Sequence, residues 1–446
     1  MKEIFRKTSA LFVAASMTLA LAACAGGGSG TEKTGGEGQA DGGSDAGEEI
    51  TLTIWHQSVS DTDPVKKIIE DSVEEYHKLH PNITIEQDGV TGEQYKTKIK
   101  TAFAAGEAPD ISYMFSGGSF VKPYIDAGYL LPIDEYLSEE TKSKVLPGML
   151  DGCTFDGKVY TLPTVTFLAN LYCNTEMFDK AGAKIPTTWD ELLEAIEKLN
   201  DAGMTPIMMG EKDRWPGMYW YDIVSARTAG NKGLEEAFGD PSKFNSEPFI
   251  KAAEKMQELV NAKAFNENMM SMSYDEMVEG FAAGQGAMLF QANWVHPSIQ
   301  ADTSATKGKV TCVSFPVIEG MAGSETEFSG GSSDGYYINV NCEHPEEAVE
   351  YLSYLSEKIG RDGYQQGAGL PCWNTEDVDT SGLSVLDTES AALMETGTSY
   401  ITWWDNIFPA EDSETYKDLV AQLMALKITP EEFAESMSKL SPSEFY

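Results

Sequence analysis

The chain is 446 residues long, with 32 Lys and Arg against 71 Asp and Glu and a formal charge of −39. At 41% hydrophobic and 10% aromatic it has ample material for packed cores, which excludes disorder, collagen and coiled coil as whole-chain descriptions. The acidic balance argues against nucleic acid, whose phosphates need clustered Lys and Arg, and the length sets an expectation of two domains.

Lys2, Arg6 and Lys7 precede an apolar stretch from Ala10 to Ala22, too short to span a bilayer permanently, which reads as a secretory signal over 1–23. Leu21-Ala22-Ala23-Cys24 resembles the bacterial lipobox. That resemblance implies diacylglycerol on the Cys24 thiol, and two acyl chains suffice for stable anchoring at the outer face of the cell membrane. Residues 24–49 are Gly, Ser and acid-rich without a large apolar side chain, a flexible tether with a reach of roughly 25–30 Å. Beyond it no apolar stretch is long enough for a transmembrane helix. Cys153, Cys173, Cys312, Cys342 and Cys372 are odd in number and lack CxxC spacing, so buried free thiols are expected, with one disulfide left open.

Ile50, Leu52 and Ile54 alternate with Thr51 and Thr53, the period of a strand. Asp63-Pro64 then opens a helix through Val65, Ile68, Ile69, Val73 and Tyr76. Ile83-Thr84-Ile85 is a second strand, Tyr95 to Ala105 a helix stopped by Gly106, and Asp110 to Met114 a third strand. This alternation predicts an α/β lobe with parallel pairing. Leu168 to Tyr172 is a later strand, and Pro186 to Glu191 opens a helix with a capping box of Thr188 and Glu191. Pro345 begins a helix carrying Ala348, Val349, Leu352, Leu355 and Ile359, with Gly360 expected just past its end, and Thr429-Pro430 begins the last.

The segment from Gly157 to Leu199, GKVYTLPTVTFLANLYCNTEMFDKAGAKIPTTWDELLEAIEKL, resembles the family 1 extracellular solute-binding proteins of ABC sugar importers. GEAPDISYMF (Gly106 to Phe115), GYLLPIDEYL (Gly128 to Leu137), EGFAAGQGAMLFQANW (Glu279 to Trp294) and GGSSDGYYINVNCEHPEEAVEYLSYL (Gly330 to Leu355) follow the family order. The resemblance implies an α/β, two-lobed, type II-like periplasmic-binding-protein fold over 50–446, with crossover hinge strands and the ligand held between the lobes. Expected lobe 1 is about 50–158 and 309–341; expected lobe 2 is about 159–308 and 342–446. It further implies a monomer without cofactor or metal, whose partners are a carbohydrate and the transmembrane subunits of an ABC permease.

A sugar offers hydroxyls to Asp, Asn and Gln and apolar C–H faces to aromatic rings. Trp55, His56 and Gln57 at the end of the first strand are candidate contacts, as is Phe115 at the end of the third, where Gly117 and Gly118 permit close backbone approach. Phe167 stands where some sugar-binding relatives carry a polar contact, a departure from the pattern. Trp215 and Tyr219 are the preferred stackers in an aromatic stretch whose Trp220 and Tyr221 are read as facing the core. Trp294 follows LFQAN where the family often places a platform. Trp403, Trp404, Asp405 and Asn406 pair two rings with two hydrogen-bonding groups, core packing competing for one ring, while Asp334 either accepts sugar hydroxyls or caps a turn. Trp189 belongs to a helix start. His77 and His80 beside Glu74 read as a solvated helix terminus rather than a metal site.

Three functions are weighed. A lipid-anchored receptor that captures a carbohydrate, in preference an oligosaccharide, and does no chemistry leads. A secreted glycoside-active enzyme would need two carboxyls about 5–10 Å apart, and the same scaffold binding a non-sugar solute is the third. No nucleophile elbow or Cys/His signature is present.

Overall fold

The computed structural model describes residues 48–443 apart from 116, 118, 119, 147, 148, 332 and 333. The expected signal peptide, Cys24 and nearly all of the tether lie outside the described residues.

Two four-stranded sheets organise the chain. In the first, Gly335–Ile338, Ile111–Met114, Ile50–His56 and Ile83–Gly89 lie side by side in that order, the last three parallel and Gly335–Ile338 antiparallel to its neighbour. Its Ile50, Leu52 and Ile54 face packs under the helices Pro64–Leu79 and Pro345–Gln365. The first of these starts as its residues dictate: Asp63 accepts a hydrogen bond from the Val65 N–H at 2.9 Å and proline follows at a position that needs no donor. The opposite face packs against the helix Gly92–Ala105 through Tyr95, Ile99 and Phe103.

In the second sheet the order is Val310–Val313, Ala169–Asn174, Gly286–Ala292 and Thr205–Ile207, antiparallel except for the last pair. Helix Trp189–Asp201 packs on it through Leu192, Ile196 and Leu199. The predicted capping box is half formed: Thr188 accepts from the Glu191 N–H, whereas the Glu191 carboxylate accepts from the Thr187 N–H.

Two segments sit otherwise than expected. Val310–Val313, assigned to lobe 1, pairs with Ala169–Asn174 in the second sheet, where Val310 and Cys312 join that core. Helix Pro345–Gln365, assigned to lobe 2, lays its apolar stripe on the first sheet's core, and Ser72 and Tyr351 join hydroxyls at 3.0 Å between it and Pro64–Leu79. That helix also continues through Gly360. A Cβ there would lie 2.2 Å from Trp373 Cδ1, so the glycine serves close packing rather than termination.

The chain crosses between the sheets more than once, and the crossings brace one another. Val165–Thr166 pairs antiparallel with Leu370–Pro371, Leu168 bridges Gly330, and Glu327–Ser329 pairs parallel with Ser399–Ile401. Arg227, wholly buried, donates to the carbonyls of Phe315 and Glu327 and so ties the returning crossing to the helix Trp215–Gly239. Among the described residues no helix is long and apolar enough to cross a membrane, and the five cysteines form no disulfide.

Candidate functional site

Six rings from five segments converge in the second lobe. Trp215 and Tyr219 open the helix Trp215–Gly239 four residues apart, which puts them on one face with ring centroids 5.1 Å apart. Trp294 follows the strand Gly286–Ala292; its neighbour Asn293 accepts from the Leu168 N–H at 2.8 Å, fixing the turn, and the ring lies 6.2 Å from Tyr219. Trp403, just before the short helix Trp404–Ile407, stacks on Tyr219 at 4.5 Å and 20° and lies 5.5 Å from Trp294. Tyr274, first residue of a helix capped by Ser273 and Glu276, reaches Trp215 at 4.6 Å. Phe167 meets Trp294 edge-on at 5.1 Å. Tyr219 and Trp403 are 7% and 6% exposed, whereas Trp215 and Trp294 are half-buried and keep surface to offer.

The first lobe contributes a polar relay. Gln57 donates to the Tyr113 hydroxyl at 3.0 Å, and that hydroxyl donates to Asp334 at 2.7 Å. Thr164 donates to the Asp334 carbonyl at 3.0 Å. Phe115 packs edge-on to Tyr113 at 5.2 Å, with the Lys96 ammonium 4.7 Å over its ring. The two lobes meet here. A Cβ on Gly117, whose φ is +94°, would lie 2.4 Å from the Asn406 Cβ and 2.5 Å from its carbonyl, so this loop rests on the segment after Trp403 as only glycine allows. Burial pushes the Tyr219 hydroxyl well above its ordinary range, with Asp405, Asp222 and Asp334 adding to the shift. Burial likewise raises the Asp405 carboxyl, against the pull of Lys417 and Lys96.

Behind the wall, Asp222 is buried and receives the Tyr416 hydroxyl and the Trp404 N–H. Burial raises its carboxyl well above the usual range, outweighing both donors. These bonds hold the residue that follows Trp403.

The expected contacts divide accordingly. Trp215, Tyr219, Trp294 and Trp403 are brought together; Asp334 and Asp405 act on Tyr219, and Gln57 and Phe115 are joined to Asp334 through Tyr113. Trp55, His56 and Trp404 are not brought to this place. Successive strand residues point to opposite faces, so the Trp55 ring goes to the face of helix Gly92–Ala105, under Lys98 at 3.8 Å, beside a cavity of about 510 Å³ lined by Gln94, Thr97 and Thr101. His56 goes to the other face, buried, with its ring 3.3 Å from Gln87. Only Gln57, beyond the strand, reaches the relay. Trp404, at 1% exposure, stacks on Tyr416 in the core. Trp220 and Tyr221 are core residues as read. Tyr113 and Tyr274 were missed: Tyr113 sits inside an apolar strand, and the capping box before the helix at Tyr274 was the one signal available.

Among the described residues no three His, Cys, Asp or Glu side chains gather as a metal site. His77 bonds the Ile83 carbonyl and His80 stacks on Tyr76. The arrangement suits adsorption of a ligand with apolar faces and hydroxyls: rings on one side, acceptors on the other.

A family model described as bacterial extracellular solute-binding protein matches residues 60–361. A solved structure from work on xylan utilization by the thermophilic bacterium Caldanaerobius polysaccharolyticus is 37% identical, with a TM-score of 0.83 over 87% of this chain and 99% of that one. A chitin oligosaccharide binding protein is 27% identical, with a TM-score of 0.79 over 88% and 98%. An uncharacterized ABC transporter extracellular-binding protein of Pyrococcus horikoshii is 23% identical over 296 residues, 65% of this chain and 64% of that one, so the chain spans just under two thirds of that relative.

Proposed function

The chain belongs to the bacterial extracellular solute-binding proteins, and from that membership we propose that it is a lipid-anchored receptor that captures an oligosaccharide between its lobes and hands it to an ABC permease. What supports this is the clustering of Trp215, Tyr219, Trp294 and Trp403, with Asp334 of the Gln57–Tyr113–Asp334 relay near enough to act on the Tyr219 hydroxyl. Rings cover the C–H faces of sugar units and the relay takes their hydroxyls. One similar structure is named for chitin oligosaccharides and another comes from work on xylan use. Hinge closure of two lobes over a ligand is an established behaviour of such scaffolds, and the differential affinity of open and closed states does the work.

The test is calorimetric titration with xylo- and chito-oligosaccharides of two to six units. Binding without turnover is expected, weakened about tenfold or more by Trp294→Ala and by Trp403→Ala, as for a buried aromatic anchor. Unchanged affinity in both variants removes the assignment of the wall, and hydrolysis of the sugar removes the receptor.

A further inference from the structure

Acids outnumber cations around the aromatic wall, although Lys417 and Lys96 both act on Asp405. Asp405 follows Trp403 by two residues, and Asp334 receives the Tyr113 hydroxyl at 2.7 Å. Both carboxylates act on the Tyr219 hydroxyl and raise it, Asp405 from the second lobe and Asp334 from the first. The cations of the neighbourhood are each engaged by an acid. Lys96 holds Glu93 at 2.8 Å, Lys417 holds Glu414 at 2.5 Å, and Arg214 is shared between Glu414 at 2.6 Å and Asp418 at 2.7 Å.

We propose that the site, taken as the oligosaccharide site above, admits uncharged chains and rejects those bearing a uronic acid, with Asp334 and Asp405 as the specificity-determining residues. A neutral sugar meets these carboxylates with hydroxyl donors, the charge-assisted arrangement that is the stronger kind of hydrogen bond. A glucuronate placed on the wall meets them with like charge, and the ammonium groups nearby are already compensated. Closure of the lobes removes the water and salt that screen such repulsion at an open surface. Discrimination then comes from a repulsive element built against the wrong ligand as much as from contacts to the right one.

The experiment titrates the protein at neutral pH and low salt with three ligands: xylotetraose, the same backbone with one arabinosyl branch, and the same backbone with one glucuronosyl branch. The arabinosyl chain controls for the bulk of a substituent. Xylotetraose and the arabinosyl chain are expected to bind within a few-fold of each other and the glucuronosyl chain at least tenfold more weakly. In Asp334→Asn or Asp405→Asn the gap between the two branched chains is expected to shrink to about threefold or less. A glucuronosyl chain bound as tightly as the arabinosyl one overturns the proposal. So do two equally weak branched chains, which make bulk the cause, and so does a gap that persists in both variants. Binding of none of the three, nor of chitotetraose, fails the oligosaccharide reading itself and takes this inference with it.

Discussion

Adjacent residues of one type have opposite fates here. Trp403 lies flat on Tyr219 at the edge of the wall, while Trp404 lies inside, against Tyr416 and Phe238. Trp404→Ala is therefore expected to cost about 3–5 kcal/mol of stability, as for large core truncations, read as a lowered denaturant midpoint with affinity kept, whereas Trp403→Ala, also buried but part of the wall, is expected to lower affinity as well as stability. The pair of rings was legible in the sequence but their division was not, because neighbouring residues on a helical turn diverge and nothing local says which one the core claims. Trp55 and His56 failed for the same reason at a strand end, where alternation leaves only one of any two neighbours on a given face. Asp222 makes a prediction in pH. Its folded carboxyl titrates well above the unfolded value of about 3.9, so the native state holds a proton that the unfolded chain has released. Stability from this group is full below pH 4 and declines as pH rises from there toward the folded value. Asp222→Asn, which cannot ionise, is expected to flatten the fall of melting temperature between pH 4 and 7; an unchanged slope would assign it to other groups, Glu211 first, whose buried carboxyl is raised in the same direction.

At the scale of elements, periodicity served well where one face was buried against a sheet. The strands at Ile50, Ile83 and Ile111 and the helices at Pro64 and Trp189 appear where alternation and capping put them. It failed at Trp215–Gly239, where every residue from Pro216 to Thr228 is buried, the polar Asp222, Ser225 and Arg227 among them, so no exposed polar face reveals the period there. Gly360 misled in another way, since a glycine after an apolar stripe reads as a stop, yet here it lets Trp373 lie against the helix and donate to the Pro163 carbonyl at 2.7 Å. Gly360→Ala should gain up to about 1 kcal/mol in helix propensity and lose more than that to the clash, about 1–3 kcal/mol for overpacking. A net fall in melting temperature of a few degrees is expected; a rise would show that Trp373 yields without cost.

For the molecule as a whole, the two-lobed architecture was legible through an ordered set of segments rather than through any single one. The lobe boundaries were not, because membership of a lobe is decided by strand pairing far along the chain, as Val310–Val313 beside Ala169–Asn174 shows. The proposed anchor is a whole-molecule property as well. Cys24→Ser is expected to move the protein from the membrane fraction to the medium or periplasm while leaving the oligosaccharide affinity of the purified protein unchanged. Retention of the variant on membranes would remove the lipid from the account.

The first sheet needs Gly335–Ile338 along its edge and Pro345–Gln365 on its face, so three parallel strands made early must wait for partners made about two hundred residues later. A ribosome delivers the chain from its N-terminus, and throughout that interval one edge of the early sheet and the part of its face under Pro345–Gln365 stay open. The sheet that is begun first is thereby finished last, after every strand of the second has been made.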